Sequence, residues 1–282
     1  MRYTERWLMK EEVSFEDGEP IICFKITPTT DDEVRDEWSQ HIRRHYISDE
    51  RLNESCEELC MTQSDYLKEY SIPQESETPL GPIAISADIT EILISDILQF
   101  IDGYTVPRVK QKNRSHKNML EHGSDVIGYK FARKGVSSNN DKLVVAEVKA
   151  SLSADSWDTI GKAIKDSHKD EQRYAHTLNY YRQKLKDSGN EEIASQVKRF
   201  QRKTELPYIK EFIPAAVICR AEIDGNSEGK KIVPLNSENI EVLKKDGTIE
   251  IIKLKRGTKV CLVHGAELMV LAHDIYRRIC EC

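Results

Sequence analysis

The chain has no apolar run approaching the ~18–20 residues of a membrane span, so no membrane-spanning helix is expected. Its start, Met1-Arg2-Tyr3-Thr4-Glu5-Arg6, has no apolar stretch of signal-peptide type behind it, and a cytoplasmic location is expected. The cysteines (23, 56, 60, 219, 261, 280 and 282) are odd in number and scattered, which argues against a disulfide framework. Cys56 and Cys60 have helical i, i+4 spacing, and Cys280 and Cys282 flank one residue. Neither pair has a second pair at zinc-finger spacing, so no zinc finger is expected. No internal repeat, low-complexity tract, helix-turn-helix or finger motif stands out, which leaves no dedicated base-reading element.

What is present is a 282-residue globular composition, 39% hydrophobic and 32% charged, enough for one large or two modest domains. The net charge of −6 disfavours a nucleic-acid partner until its distribution is read. Residues 1–79 hold 20 acidic and 9 basic side chains, a net of −11, and residues 80–282 hold a net of +5. A basic C-terminal module therefore carries an acidic α+β N-terminal one, suited to docking a partner or to regulation.

Glu19–Ile26 reads as a strand. Asp31 or Asp32 caps a helix through Val34, Trp38, Ile42 and Tyr46, and a short helix is expected around Asn53–Tyr70. Ser71–Pro82, with three prolines, marks the module boundary. Ile83–Ile101 reads as an apolar helix containing Glu91, and Tyr104–Val109 as a short strand. Two strands follow, around Asp125–Tyr129 and Leu143–Ser151, joined by a hairpin-type connection at Gly135–Asp141. One long helix is expected over Asp155–Lys186, then a linker near Glu205-Leu206-Pro207. Strands at Phe212–Arg220 and Lys259–His264 and a closing helix at Ala266–Arg278 complete the chain. A strand–helix–strand crossover requires a partly parallel sheet covered by helices.

The stretch His122-Gly123-Ser124-Asp125-Val126-Ile127-Gly128-Tyr129 puts a carboxylate at the start of one strand. Glu147-Val148-Lys149 puts a carboxylate and an amine on one face near the end of the next, because strand side chains alternate. Charges rarely close so apolar a strand unless they are paired or hold a cation. The bland alternative is a buried ion pair. Two carboxylates converging on one point repel unless a cation or proton intervenes, and Asp125 tilts the reading toward a divalent ion.

Asp, a variable hairpin, then Glu-x-Lys, flanked by helices and strands, resembles the PD-(D/E)xK nuclease superfamily over about residues 83–220. Ser124 stands where the pattern usually has proline. The segments Trp38–Tyr46, Glu121–Asp125 and Glu147–Ser151 also resemble the HamA family, the nuclease subunits of bacterial Hachiman antiphage defence systems, over nearly the whole chain. The resemblance implies an α/β nuclease-like mixed sheet flanked by helices across residues 80–282, Mg²⁺-dependent DNA cleavage with Mn²⁺ as a substitute, and a HamB-like helicase partner. It implies metal ligation by Asp125, Glu147 and the Val148 carbonyl, with Lys149 orienting water or stabilising developing charge.

Glu91, on the helix before the strands, is a further expected site residue by the same resemblance, and Gln172 is expected to reach the site or DNA from the helix after Glu-x-Lys. His41 and His45 have zinc-like spacing but no clear third ligand, and are expected to pair beside Arg43, Arg44 and acidic neighbours. Arg108, Lys110, Lys112, Arg114 and Lys117, then Lys198, Arg199, Arg202 and Lys203, are candidate phosphate contacts without stacking aromatics. Two other functions remain open: a restriction-type endonuclease reading its own site, and a non-catalytic interaction subunit with a nuclease-like fold.

Overall fold

The computed structural model describes residues 3–15, 20–28, 30–112, 114–133, 135–154, 158–223, 231–233, 240–243, 248–252 and 258–281. Residues 19, 155–157 and 282, on which parts of the sequence reading fall, lie outside them. The elements run α1 (Tyr3–Arg6), β1 (Leu8–Phe15), β2 (Pro20–Ile26), α2 (Asp32–Tyr46), α3 (Asp49–Leu59), α4 (Gln63–Tyr66) and α5 (Leu80–Asp96). They continue with β3 (Val126–Lys130), β4 (Lys142–Ser151), α6 (Asp158–Ser167), α7 (Asp170–Asp187), α8 (Glu191–Gln201) and β5 (Ile209–Cys219). Short strands β6 (Lys231–Val233), β7 (Ile240–Leu243) and β8 (Ile249–Ile252) precede β9 (Cys261–Gly265) and α9 (Leu268–Ile279).

The main sheet has the order β3-β4-β5-β9-β2-β1-β6. Strands β4, β5, β9 and β2 are mutually parallel, while β3 and β1 pair antiparallel with their inner neighbours. The mixed, helix-covered sheet follows from the sequence pattern. Val144, Ala146 and Val148 of β4 join the core under α5 and α9, and Leu143 and Val145 join the core under α7 and α8. A strand buried on both faces reads as continuous apolar sequence, as β4 does.

The acidic N-terminal segment shares this sheet: β2 pairs with β9, and Trp38 and Ile42 of α2 are buried in one core with Ile275 and Ile279 of α9. The boundary drawn at residue 79 is a change of charge and the start of α5, and packing continues across it. Asp31 caps α2 by accepting the Glu33 N–H at 3.1 Å, and Val34, Trp38, Ile42 and Tyr46 are all buried, as their spacing predicts.

Several elements differ from expectation. The long helix is two helices, α6 and α7, broken at His168-Lys169. The segment before Pro207 contains α8, and β1 was not anticipated. Residues 53–70 fall into α3, α4 and a π-helical turn over Leu67–Ser71, and α5 likewise ends in a π-helical turn over Ile97–Ile101. Tyr104–Val109 is not a strand. Thr105 makes a single bridge to Tyr129, and the rest is irregular. No helix is long and apolar enough to cross a membrane among the described residues.

Candidate active site

Strand register brings the motif together. Val126 of β3 faces Ala146 of β4, so Asp125, one residue before β3, arrives beside Glu147 and Val148. Its Oδ2 accepts the Val148 backbone N–H at 2.8 Å. The N–H and C=O of one strand residue leave the same strand edge, which puts the Val148 carbonyl on the Asp125 side. The turn that delivers Asp125 is pinned from α7. The Ser124 N–H donates to Thr177 Oγ1 at 3.0 Å, and the Ser124 hydroxyl donates to Asp170 Oδ1 at 2.8 Å. Proline at 124 would have no N–H to give.

Glu147 shares its β4 face with Val145, and Lys149 joins it there. Lys149 Nζ lies 2.7 Å from Glu147 Oε1 and 3.0 Å from Asp166 Oδ2, at the end of α6. Arg173 of α7 approaches Glu147 Oε2 at 3.6 Å and Asp170 Oδ1 at 3.8 Å. Glu91 comes from α5, on the other face of the sheet. The two glutamates therefore flank Asp125 from opposite sides, and a lysine joins one of them to it: Lys110 Nζ is 3.0 Å from Glu91 Oε1 and 3.5 Å from Asp125 Oδ1.

Burial dominates the electrostatics. It pushes the Glu91 carboxyl up to about 8, with Asp125 and Asp88 adding to it and Lys110 opposing. Burial and then Asp125 push Glu147 up to about 7 against the pull of Lys149. Asp170 is raised by burial, whereas for Asp166 the hydrogen bonds of Lys169 and Lys149 outweigh burial and lower it. Burial disfavours the Lys149 ammonium, but Glu147 and Asp166 more than compensate and hold it above the usual lysine range. Carboxylates driven toward protonation by burial and by one another define a place where positive charge is favoured.

Two buried oxygens bear on whether these residues could hold a divalent cation. Glu91 Oε2 and Glu147 Oε2 are buried with no hydrogen-bond partner among the described residues. Such oxygens are uncommon and call for an ion, a water or a neighbouring cation, and Arg173 stands 3.6 Å from the one on Glu147. Asp125, Glu147, Glu91 and the Val148 carbonyl offer oxygen donors of the kind hard cations take, although the three carboxylates do not all bring an oxygen within 4.8 Å of one another. A groove of about 550 Å³ opens onto Glu91, Asp125 and Lys149 along the end of β4.

Gln172 makes no contact with Asp125, Glu147 or Lys149 among the hydrogen bonds and ion pairs of the described residues. It is exposed on α7, and its neighbour Arg173 is the residue that reaches Glu147. Asp166, Asp170 and Lys110 were not singled out as site residues, and only the break between α6 and α7 brings the first two to Lys149 and Ser124. The expected phosphate contacts are corrected in part. Lys110, Lys117 and Arg199 are buried, and Arg114 pairs with Asp88 at 2.5 Å in the interior. Arg108 donates to Asp96, His45 and Gln99. Lys198, Arg202 and Lys203 remain exposed.

His41 and His45 pair with each other and with Asp96 and Arg108, while Arg43 and Arg44 both turn to Asp49. The ligand atoms of His41, His45 and Asp96 lie within 4.8 Å of one another. The Arg108 guanidinium, 2.5 Å from Asp96 and 2.8 Å from His45, already supplies that cluster's positive charge.

The family model described as HamA matches residues 1–279, and no curated protein matches the chain.

Proposed function

Because the chain belongs to the HamA family, and is thereby a Hachiman defence-related protein, we propose that it is a divalent-cation-dependent DNA nuclease of PD-(D/E)xK type. In this reading it is the effector subunit that acts with a helicase. One observation carries the reading: two buried carboxylate oxygens without a hydrogen-bond partner among the described residues, on Glu91 and on Glu147, where Arg173 stands 3.6 Å away, flank Asp125 where β3 and β4 meet.

Asp125, Glu147 and the Val148 carbonyl would hold the ion, with Glu91 beside them. When bound, Mg²⁺ or Mn²⁺ would lower the pKa of a water and offset charge on the scissile phosphate. The remaining work belongs to the side chains. Lys149, restrained by Glu147 and Asp166, presents a fixed ammonium to the groove. There it orients the attacking water and stabilises charge growing on the phosphoryl oxygens. Arg173 limits the negative charge accumulating around Glu147. Asp170 and Ser124 hold the turn that aims Asp125.

The phosphodiester backbone, not a base sequence, is the substrate, because no base-reading motif accompanies the site. The helicase would supply DNA engagement, and the acidic 1–79 segment its docking or restraint. The test is digestion of random-sequence duplex and single-stranded DNA with Mg²⁺, with and without a helicase subunit and nucleotide. A heterogeneous product ladder with 5′-phosphate ends supports the proposal. Discrete sequence-specific bands would make it a restriction-type enzyme.

The rival interaction-subunit reading draws on Lys149, which is already paired to both Glu147 and Asp166. A melting temperature unmoved by Mg²⁺ and Mn²⁺ would favour it, since an ion bound only by the native state must stabilise that state.

A further inference from the structure

We propose that Lys110 is a built-in counter-cation that occupies the Glu91–Asp125 pair and is displaced when a divalent ion loads. Lys110 thereby holds down the metal affinity of the chain on its own. This rests on the nuclease reading above and adds a residue to it.

A lysine this buried needs an explanation. Lys110 is 4% exposed, and a buried ammonium is costly unless it is paired. Its partners are Glu91, which carries one of the oxygens without a hydrogen bond, at 3.0 Å, and Asp125 at 3.5 Å. Positive charge is therefore present at these carboxylates without any metal. A divalent ion brings twice the charge and must compete with it.

The backbone around Lys110 is fixed on both sides. Two residues before it, Arg108 is held by Asp96, His45 and Gln99. Four residues after it, Arg114 is held by both oxygens of Asp88 at 2.7 and 2.5 Å. The side chain, not the loop, is then the part free to move. Its four-carbon stem can swing, and lysine binds as a mobile point charge rather than a rigid fork. The void that borders Lys110, Glu91 and Asp125 is about 10 Å³, room for about one water. It cannot accept a displaced ammonium. The ammonium must leave toward the groove and become accessible to solvent.

The experiment is Mn²⁺ titration of the full chain at pH 8 by calorimetry, comparing wild type, Lys110→Met and Asp125→Asn. Lys110→Met should bind Mn²⁺ roughly tenfold or more tightly than wild type, since one unit charge near the ion is removed, and Asp125→Asn should abolish that binding. In parallel, wild-type chain is acylated with a small amine-reactive reagent and Lys110 is read by mass spectrometry. Labelling should rise when Mn²⁺ is added, and it needs no variant to fold. Equal or weaker Mn²⁺ binding by Lys110→Met overturns the proposal, as does unchanged Lys110 labelling at saturating Mn²⁺. Either result leaves the nuclease reading standing as long as Asp125-dependent Mn²⁺ binding is seen in wild type. If wild type and Lys110→Met both lack Asp125-dependent binding, the proposal and the nuclease reading fall together.

Discussion

Asp125 accepts the Val148 backbone N–H at 2.8 Å, so the position of this carboxylate is set by the strand that carries Glu147 and Lys149. A side chain from one strand is fixed by the main chain of the next, and the site is only as well formed as their pairing.

Asp125→Asn keeps the size of the side chain but removes its charge. DNA cleavage should fall at least ~100-fold, as for loss of a preorganised charged group, while stability changes by only about 1 kcal/mol. Initial cleavage rates and urea unfolding of the same preparation measure the two effects. Parallel losses in both would mean that Asp125 is structural.

Gly123→Ala tests how the turn aims Asp125. Gly123 has φ of +120°, and a Cβ there would meet Thr177 Oγ1 at 2.8 Å. That hydroxyl oxygen accepts the Ser124 N–H. The variant should lose ~1–3 kcal/mol of stability and cleave DNA more slowly, both measurable as above. Full activity at wild-type stability would show that the turn does not control the site.

The raised carboxyls predict a pH dependence. Glu91 at about 8 and Glu147 at about 7 both lie above the ordinary 4.5, so the folded chain retains protons that the unfolded chain has released. Without divalent ions, the stability this confers is complete below about pH 4.5 and is lost as pH rises through 7 and 8. Mg²⁺ requires the ionised forms, so its stabilising effect should grow from pH 6 to pH 8.5. Melting temperatures in EDTA and in Mg²⁺ across this range check both trends. Glu91→Gln and Glu147→Gln should each flatten the EDTA profile.

Asp88→Ala should be among the most destabilising substitutions. Asp88 is fully buried, pairs with Arg114 and accepts the Tyr46 hydroxyl at 2.6 Å. Removing it strands a buried guanidinium, at ~3–5 kcal/mol. The urea midpoint reads this directly, and a loss below about 1 kcal/mol would contradict the burial of the pair.

The core of the site was legible because its signals are local. Apolar β4, the hairpin at Gly135–Asp141 and the two-residue spacing of Glu147 and Lys149 fix which charges share a face. The helix break at His168-Lys169 was not legible, since no proline or glycine marks it and the apolar stripe runs on through Tyr181 and Leu185. Strand β1 was hidden because most of its side chains are not buried, so its sequence lacks a strong apolar alternation. Lys110 reads in sequence as one candidate phosphate contact in a basic run. Its burial depends on Glu91, 19 residues earlier, and Asp125, 15 residues later, a meeting that only the fold creates. The same holds for Arg108 and Asp96, which turn two histidines at helical spacing into a charged cluster.

The central claim is that Asp125 and Glu147 gather a divalent ion that cleaves DNA. Conversion of supercoiled plasmid by the chain, with a helicase subunit and nucleotide present, tests it most directly. The account predicts nicked and linear products with Mg²⁺ that disappear with EDTA and with Glu147→Gln. Cleavage that persists in Glu147→Gln at the wild-type rate, or intact plasmid under every condition, would contradict it.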